Sequence, residues 1–367
     1  MPLLLNQPLK LCLGKPVLVR RSSSILCNGL SSSLLQTPPC CIFFADPCGA
    51  GFGKLVIKNA TDYKITKLEK KVSLDLLDSD EMITIGASHG WVATMEEDRI
   101  VCLGDFLNPV ASDTNPKYIP LIPRLVTLPH CQTQIVTNIA MSKSSPEDED
   151  CILAVKFLGP QLSFYRPAHR YSGWINIRIE NPCFFSSPVM FSEKHDMFRI
   201  PGSGGHLIGS WDLHTHTHNP KLQRLRLQNH PKLLKSFGLW ELQDACYTSE
   251  HLVESRTTGE TFLVKWYRKA VWRGMSKLKT KAIMVFKLDD EGNAVYTTDI
   301  GDLCIFLSKS EPFCVKASSF PGLRPNLVNF FDVDEVGYAN LHTASSNSKL
   351  YQYSFGAPYH IPPQNID

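Results

Sequence analysis

No stretch of the chain approaches the roughly 18 consecutive apolar residues of a membrane-crossing helix, although 43% of its 367 residues are hydrophobic. That content is ample for a core and excludes global disorder. The 12 cysteines include no C-x-x-C pair and no paired spacing of the metal-binding kind. A chain this long needs no disulfide staples, so reduced and mostly buried thiols are expected. Acidic residues are missing before Asp46, whereas Lys10, Lys15, Arg20 and Arg21 all precede it. Those four account for the net charge of +3, and the remainder carries about −1. A near-neutral body makes no general case for nucleic-acid affinity.

The same imbalance marks residues 1–45 as a leader. They are rich in Leu, Ser and Pro, place Arg20-Arg21 before Ser22-Ser23-Ser24, and lack acids. Basic, hydroxylated and acid-poor composition belongs to organellar transit peptides. A secretory signal would need an uninterrupted apolar run after its first charges, and none is present. The arginine pair favours the mitochondrion over the chloroplast.

What the chain has in quantity is β pattern. Residues 283–288, 294–298, 303–307, 313–317 and 327–331 are short apolar or alternating runs, each closed by turn residues, as in an antiparallel meander. Asp289-Asp290-Glu291-Gly292-Asn293 supplies a hairpin turn. Residues 308–312 and 320–326 punctuate the later strands, the second with two prolines that cannot sit in a central ladder.

Within this block VFKLD (285–289), IGDLCIFLSKSEPF (300–313) and ASSFPGLRPN (317–326) closely resemble the C-terminal part of the plant KIB-type β-propeller family, a domain of unknown function often found behind an F-box. GASHGWVA (86–93) with LNP (107–109), and HLVES (251–255) with GETFLV (259–264), support the match. The chain also resembles the crucifer organellar branch of that family, in which a presequence stands in place of the F-box. The resemblance implies an all-β propeller with no assigned reaction. The leader shows no three-helix apolar periodicity, so an F-box substrate receptor is disfavoured.

From Phe52 the strand rhythm is continuous. Short candidates fall at 55–57, 82–85, 91–94 and 100–103, then at 151–158, 162–165, 174–179, 189–191, 197–200 and 207–213. Residues 64–77 read as a helix or a connection, and 142–150 (SKSSPEDED) as a solvated acidic loop. Glycine recurs next to tryptophan at Gly90-Trp91, Gly173-Trp174, Gly209-Ser210-Trp211 and Gly238-Leu239-Trp240, where an indole could fill the wedge between blades. About 45 residues per blade gives six or seven four-stranded antiparallel blades, with six preferred. The expected organisation is a disordered transit peptide over 1–45, a propeller over 50–357 and a tail over 358–367.

Candidate chemistry is sparse. Gly86-Ala87-Ser88-His89-Gly90 fits G-x-S-x-G, but that elbow works only between a strand and a helix, and a hairpin follows here; a tight turn is expected. His214, His216 and His218 alternate, so in a strand they would share a face suited to zinc or nickel. Asn219-Pro220 follows at once and no carboxylate or cysteine completes a shell, so a solvated surface is expected. Gly202-Ser203-Gly204-Gly205 lacks the Gly-Lys-Ser/Thr of a phosphate loop and reads as a turn. Asp332, Asp334 and Glu335 read as structural. The strongest anomaly is 265–281, seven basic residues and three aromatics with no acid, the mixture that holds single-stranded nucleic acid. Lys265, Trp266, Arg268, Lys269, Trp272, Arg273 and Lys277 are its candidate polyanion contacts. No catalytic residue, metal or cofactor is expected. The expected function is a non-catalytic scaffold for a protein partner inside an organelle, with organellar RNA as the alternative ligand. Oligomeric state has no signature in the sequence.

Overall fold

A computed structural model describes residues 36–78, 82–96, 98–129, 135–169, 172–213, 219–229, 245–273, 275–333, 335–351 and 355–365. The chain folds into six small sheets arranged as a propeller. Blade 1 holds β1 (Cys40–Gly49), β2 (Phe52–Asn59) and β3 (Ile65–Ser73), and one helical turn, α1 (Asp75–Asp78), leads out of it. Blade 2 holds β4 (Met82–Ser88), β5 (Trp91–Glu96), β6 (Val101–Gly104) and β7 (Tyr118–Leu121). Blade 3 holds β8 (Val136–Met141), β9 (Leu153–Phe157), β10 (Gln161–Tyr165) and β11 (Ile175–Arg178). Blade 4 holds β12 (Met190–Ser192), β13 (Met197–Pro201), β14 (Leu207–Trp211) and β15 (Lys221–Arg224). Blade 5 holds β16 (Arg226–Gln228), β17 (Tyr247–Glu254), β18 (Thr261–Arg273), β19 (Met275–Leu288) and β20 (Asn293–Thr297). Blade 6 holds β21 (Leu303–Leu307), β22 (Phe313–Lys316), β23 (Leu327–Phe331), β24 (Glu335–Asn340) and β25 (Ser345–Leu350). Finally β26 (His360–Ile361) returns to pair with Cys40 and Cys41 of β1, so both ends of the described chain share one sheet.

Alternation in these strands sends apolar side chains to both faces, because each blade is sandwiched between two others. The buried residues accordingly form wedges shared by neighbours. Ile85, Ala93 and Leu103 of blade 2 pack with Ile139, Leu153 and Val155 of blade 3. Phe164 of blade 3 meets Phe198 and Trp211 of blade 4, and Val264 and Val285 of blade 5 meet Ile305 and Phe330 of blade 6. Trp91 and Trp211 are buried in such wedges, as the glycine-tryptophan pairs predicted, whereas Trp174 is half-buried and Trp240 lies outside the described residues.

Four of the five runs of the C-terminal block match strands to within a residue at either end, whereas 283–288 is only the last part of the longer β19, and the order of the strands differs from the expected one. In place of a plain meander, β22 folds back to the inside, and β23 then pairs with β21 in parallel. The crossover through residues 317–326 supplies the length that a parallel pairing requires. A second parallel pairing joins β16 to β20. Residues 64–77 form β3 and the single turn α1 instead of a longer helix. As the outermost strand of its blade, β3 is mostly polar, and its apolar spacing did not discriminate between periods. The domain edges also shift. Strand β1 begins at Cys40, inside the stretch assigned to the leader, and β26 lies in the stretch assigned to a tail.

Candidate functional site at the propeller axis

The innermost strands β4, β8, β12, β17 and β22 touch one another in sequence around the centre. The turn 308–312 between β21 and β22 lies against their ends. Its backbone forms an isolated parallel bridge from Ser310 to Ala87, and Glu311 N–H donates to the Ala87 carbonyl at 2.7 Å. Ser308 Oγ accepts from His360 N–H at 3.0 Å, and Lys309 N–H donates to the Pro358 carbonyl at 3.3 Å, both on blade 1. The Glu311 carboxylate spans three further blades. Ser88 Oγ of blade 2 donates to its Oε2, Met141 N–H of blade 3 donates to the same oxygen at 3.4 Å, and Phe191 N–H of blade 4 donates to its Oε1 at 2.8 Å. Burial pushes this carboxyl up from 4.5 to about 7, against the pull of the Phe191 and Ser88 hydrogen bonds and of the Arg256 guanidinium. One turn of blade 6 thus touches blades 1, 2, 3 and 4.

Around this plug lies a ring of charge. Arg256, just beyond β17 of blade 5, pairs with Glu193 of blade 4 at 3.0 Å and donates through Nη2 to His89 Nε2 of blade 2 at 2.9 Å. An imidazole that accepts from a guanidinium is neutral, and burial followed by Arg256 holds His89 down at about 3. Glu254 of blade 5 adds a second link to blade 4, accepting from Ser192 Oγ at 2.5 Å and from Lys194 N–H at 3.0 Å.

The G-x-S-x-G segment is a strand-turn-strand, as expected. Both glycines have packing reasons. A Cβ at Gly86 would lie 2.8 Å from the backbone nitrogen of Ile139 in the next blade, and Gly90 holds φ +86° in the turn. No helix follows Ser88, its hydroxyl is committed to Glu311, and it accepts from Met141 N–H at 3.2 Å. The Gly202–205 segment is the β13–β14 turn, and the anion its amides meet is internal: Gly204 N–H donates to Glu250 Oε1 at 2.9 Å. His214, His216 and His218 lie outside the described residues. Among the described residues no three His, Cys, Asp or Glu side chains gather as a metal would require.

The basic and aromatic segment is a long hairpin of β18 and β19, 13 and 14 residues, which outruns the other blade strands and leans on blade 6. That contact uses much of what looked available for a polyanion. Lys265 and Trp266 are buried, and Trp266 Nε1–H donates to Thr280 Oγ1 at 2.9 Å. Arg268 pairs with Asp332 and lies 4.6 Å over the Trp266 ring. Lys277 donates to the Tyr351 carbonyl. Lys269 is exposed and faces Lys279 across the ladder, while the side chains of Trp272 and Arg273 lie outside the described residues. Four of the seven expected contacts, Lys265, Trp266, Arg268 and Lys277, thus serve the fold, because a projecting hairpin must satisfy Asp332 and Glu335 beneath it. Glu335 accepts from Thr280 N–H at 2.9 Å and from Thr280 Oγ1 at 2.6 Å. Asp334 lies outside the described residues.

Glu311 itself was missed. The signal was present as a lone acid between Ser-Lys-Ser and Pro in an otherwise apolar block, but it reads as an ordinary turn until the ring closes around it.

Comparison with known proteins places residues 58–353 in the KIB1-4 beta-propeller family model. No curated protein sequence matches the chain significantly. Among solved structures, dihydro-heme d1 dehydrogenase NirN in complex with DHE matches with TM-score 0.37 and 10% identity over 86% of this chain and 54% of that one. The chain therefore spans about half the length of that protein. BBS1N in complex with ARL6DN matches with TM-score 0.27 and 12% identity over 91% and 94% of the two chains. Neither score carries an argument about function.

Proposed function

Starting from a chain that belongs to the KIB1-4 β-propeller family, we propose that it is a non-catalytic interaction scaffold inside an organelle, the mitochondrion before the chloroplast, and that it recognises a protein partner. The observation that carries the reading is how the axial groups are used. Ser88, Glu311, Arg256 and His89 could each serve chemistry, yet their polar atoms bind other blades. A ring locked in this way is a rigid platform for surface recognition.

A suitable surface lies between blades 2 and 3. The connection after β7 leaves Ile122 56% and Val126 61% exposed, and Ile175 on β11 is 49% exposed. The backbone there is held firmly: Tyr165 Oη donates to the Ile122 carbonyl at 2.6 Å, Trp174 Nε1–H to the Pro123 carbonyl at 2.8 Å, and Gln161 Nε2 to the Val126 carbonyl at 3.0 Å. Apolar side chains presented on a fixed backbone suit a protein interface. The location rests on the acid-free leader.

Affinity purification of the tagged full chain from organelles tests this reading. Specific proteins should co-purify with the wild type and be lost from an Ile122→Asp, Val126→Asp variant of unchanged melting temperature. An identical set with both forms, or a fusion protein that stays outside organelles, would refute it. A second reading, RNA binding, draws on Lys269 and Lys279, like charges directly opposite in a ladder, an arrangement that an anion would relieve. It requires binding to organellar RNA that weakens steeply with salt and with Lys269→Ala.

A further inference from the structure

Where blade 6 meets blade 1, strands β1, β2 and β26 on one side and β23, β24 and β25 on the other leave a pocket of about 230 Å³. Its lining includes Lys58 and Lys349 but no aspartate or glutamate. Neither ammonium group has an ion-pair partner among the described residues; each instead rests on an aromatic face, Lys58 Nζ 5.6 Å from the Tyr63 centroid and Lys349 Nζ 5.0 Å from that of Tyr351. Asn59 and Asn347 add amide groups to the same walls. At the closure ladder His360 is 5% exposed, and its Nδ1 has no hydrogen-bond partner.

Two cations facing one half-enclosed space without a counter-charge repel each other, and an anion placed between them turns that repulsion into attraction. Aromatic rings beside the ammonium groups favour keeping them charged and partly dry. The size is also informative. At about 230 Å³ the pocket is below the range of drug-sized ligand sites.

We infer that this seam pocket is a binding site for a compact organic anion, a carboxylate or phosphate on a small body, held between Lys58 of blade 1 and Lys349 of blade 6. The walls come from the two ends of the ring, so the bound anion also reinforces ring closure. The site is independent of the partner surface on blades 2 and 3.

Calorimetric titration and thermal melting of the full chain with succinate, inorganic pyrophosphate and the neutral 1,4-butanediol test the site. At about 100 times its dissociation constant, at least one anion should raise the melting temperature by roughly 4 °C, and the diol should leave it unchanged. Which anion does so separates carboxylate from phosphate recognition. Lys58→Ala and Lys349→Ala should each weaken binding by about tenfold, and Lys221→Ala, an exposed lysine on blade 4, should not alter it. If Lys58→Ala does not fold, Lys349→Ala decides alone, because that side chain is exposed. Absence of heat and of a melting shift with both anions, an equal shift with butanediol, or undiminished binding to Lys349→Ala would overturn the assignment.

Discussion

Replacing Glu311 by Gln should make the protein more stable at pH 8 and leave it almost unchanged at pH 5. The folded carboxyl sits at about 7 against an ordinary value of 4.5, so the folded state binds a proton more tightly than the unfolded chain. Its contribution is then fully present below pH 4.5, declines as pH rises towards 7, and is gone above that. The full difference corresponds to about 3 kcal/mol at 1.36 kcal/mol per pH unit. Glu311 is only partly buried by accessible area, so solvent screens the charge, and about 2 kcal/mol is the expected effect. Glutamine reproduces the protonated form: its carbonyl accepts from Phe191 N–H and its amide donates to Ser88 Oγ. Thermal unfolding of both proteins followed by near-ultraviolet circular dichroism from pH 5 to 8 isolates this one group, since other titrations cancel in the difference. The variant should gain roughly 3 °C on the wild type across that range. Glu311→Ala, which abandons three donors, should lose stability at every pH. A pH-independent difference between wild type and Glu311→Gln would refute the argument that burial sets the proton affinity.

Other perturbations probe the remaining parts of the ring. Trp211→Ala removes a side chain that is 1% exposed between blades 3 and 4 and should cost about 3–5 kcal/mol, measured by urea unfolding. Arg268→Ala leaves Asp332, 15% exposed, without its cation and should cost about 2 kcal/mol by the same assay. Stability should fall below pH 6.5, because burial holds His251 and His360 down at about 3; the unfolded chain takes up protons there that the folded ring refuses, and acid titration of the melting temperature reads it. Removing residues 1–35 should leave the melting temperature unchanged and abolish organellar import of a fluorescent fusion, whereas removing 1–45 cuts six residues from β1 and should destabilise the ring as well.

Much of the strand pattern was legible because each strand must bury both faces within a few residues, which leaves short apolar runs between turn residues. The runs at 303–307 and 327–331 coincide with β21 and β23. Their pairing was not legible, since apolar pattern carries no information about which neighbour a strand joins, and β22, which intervenes in sequence, pairs on the other side of β21. The ends failed for another reason. His360–Ile361 is a two-residue strand, too short to have a period, and its ladder partner lies more than 300 residues away. The basic hairpin was legible as an anomaly, but Arg268 and Lys265 could be recognised as internal only once Asp332 and Glu250 were located beside them. Glu311 illustrates the general limit: its role depends on backbone amides from blades 3 and 4 beside the Ser88 hydroxyl, and an amide has no sequence identity.

Because β1 waits for β26, the first blade stays one strand short until residues 360 and 361 have left the ribosome. Contacts of such long sequence separation close slowly. The growing chain therefore carries an open ladder, and with it the exposed Cys40–Cys41 edge, through more than 300 residues of synthesis, and two residues decide when the ring is shut.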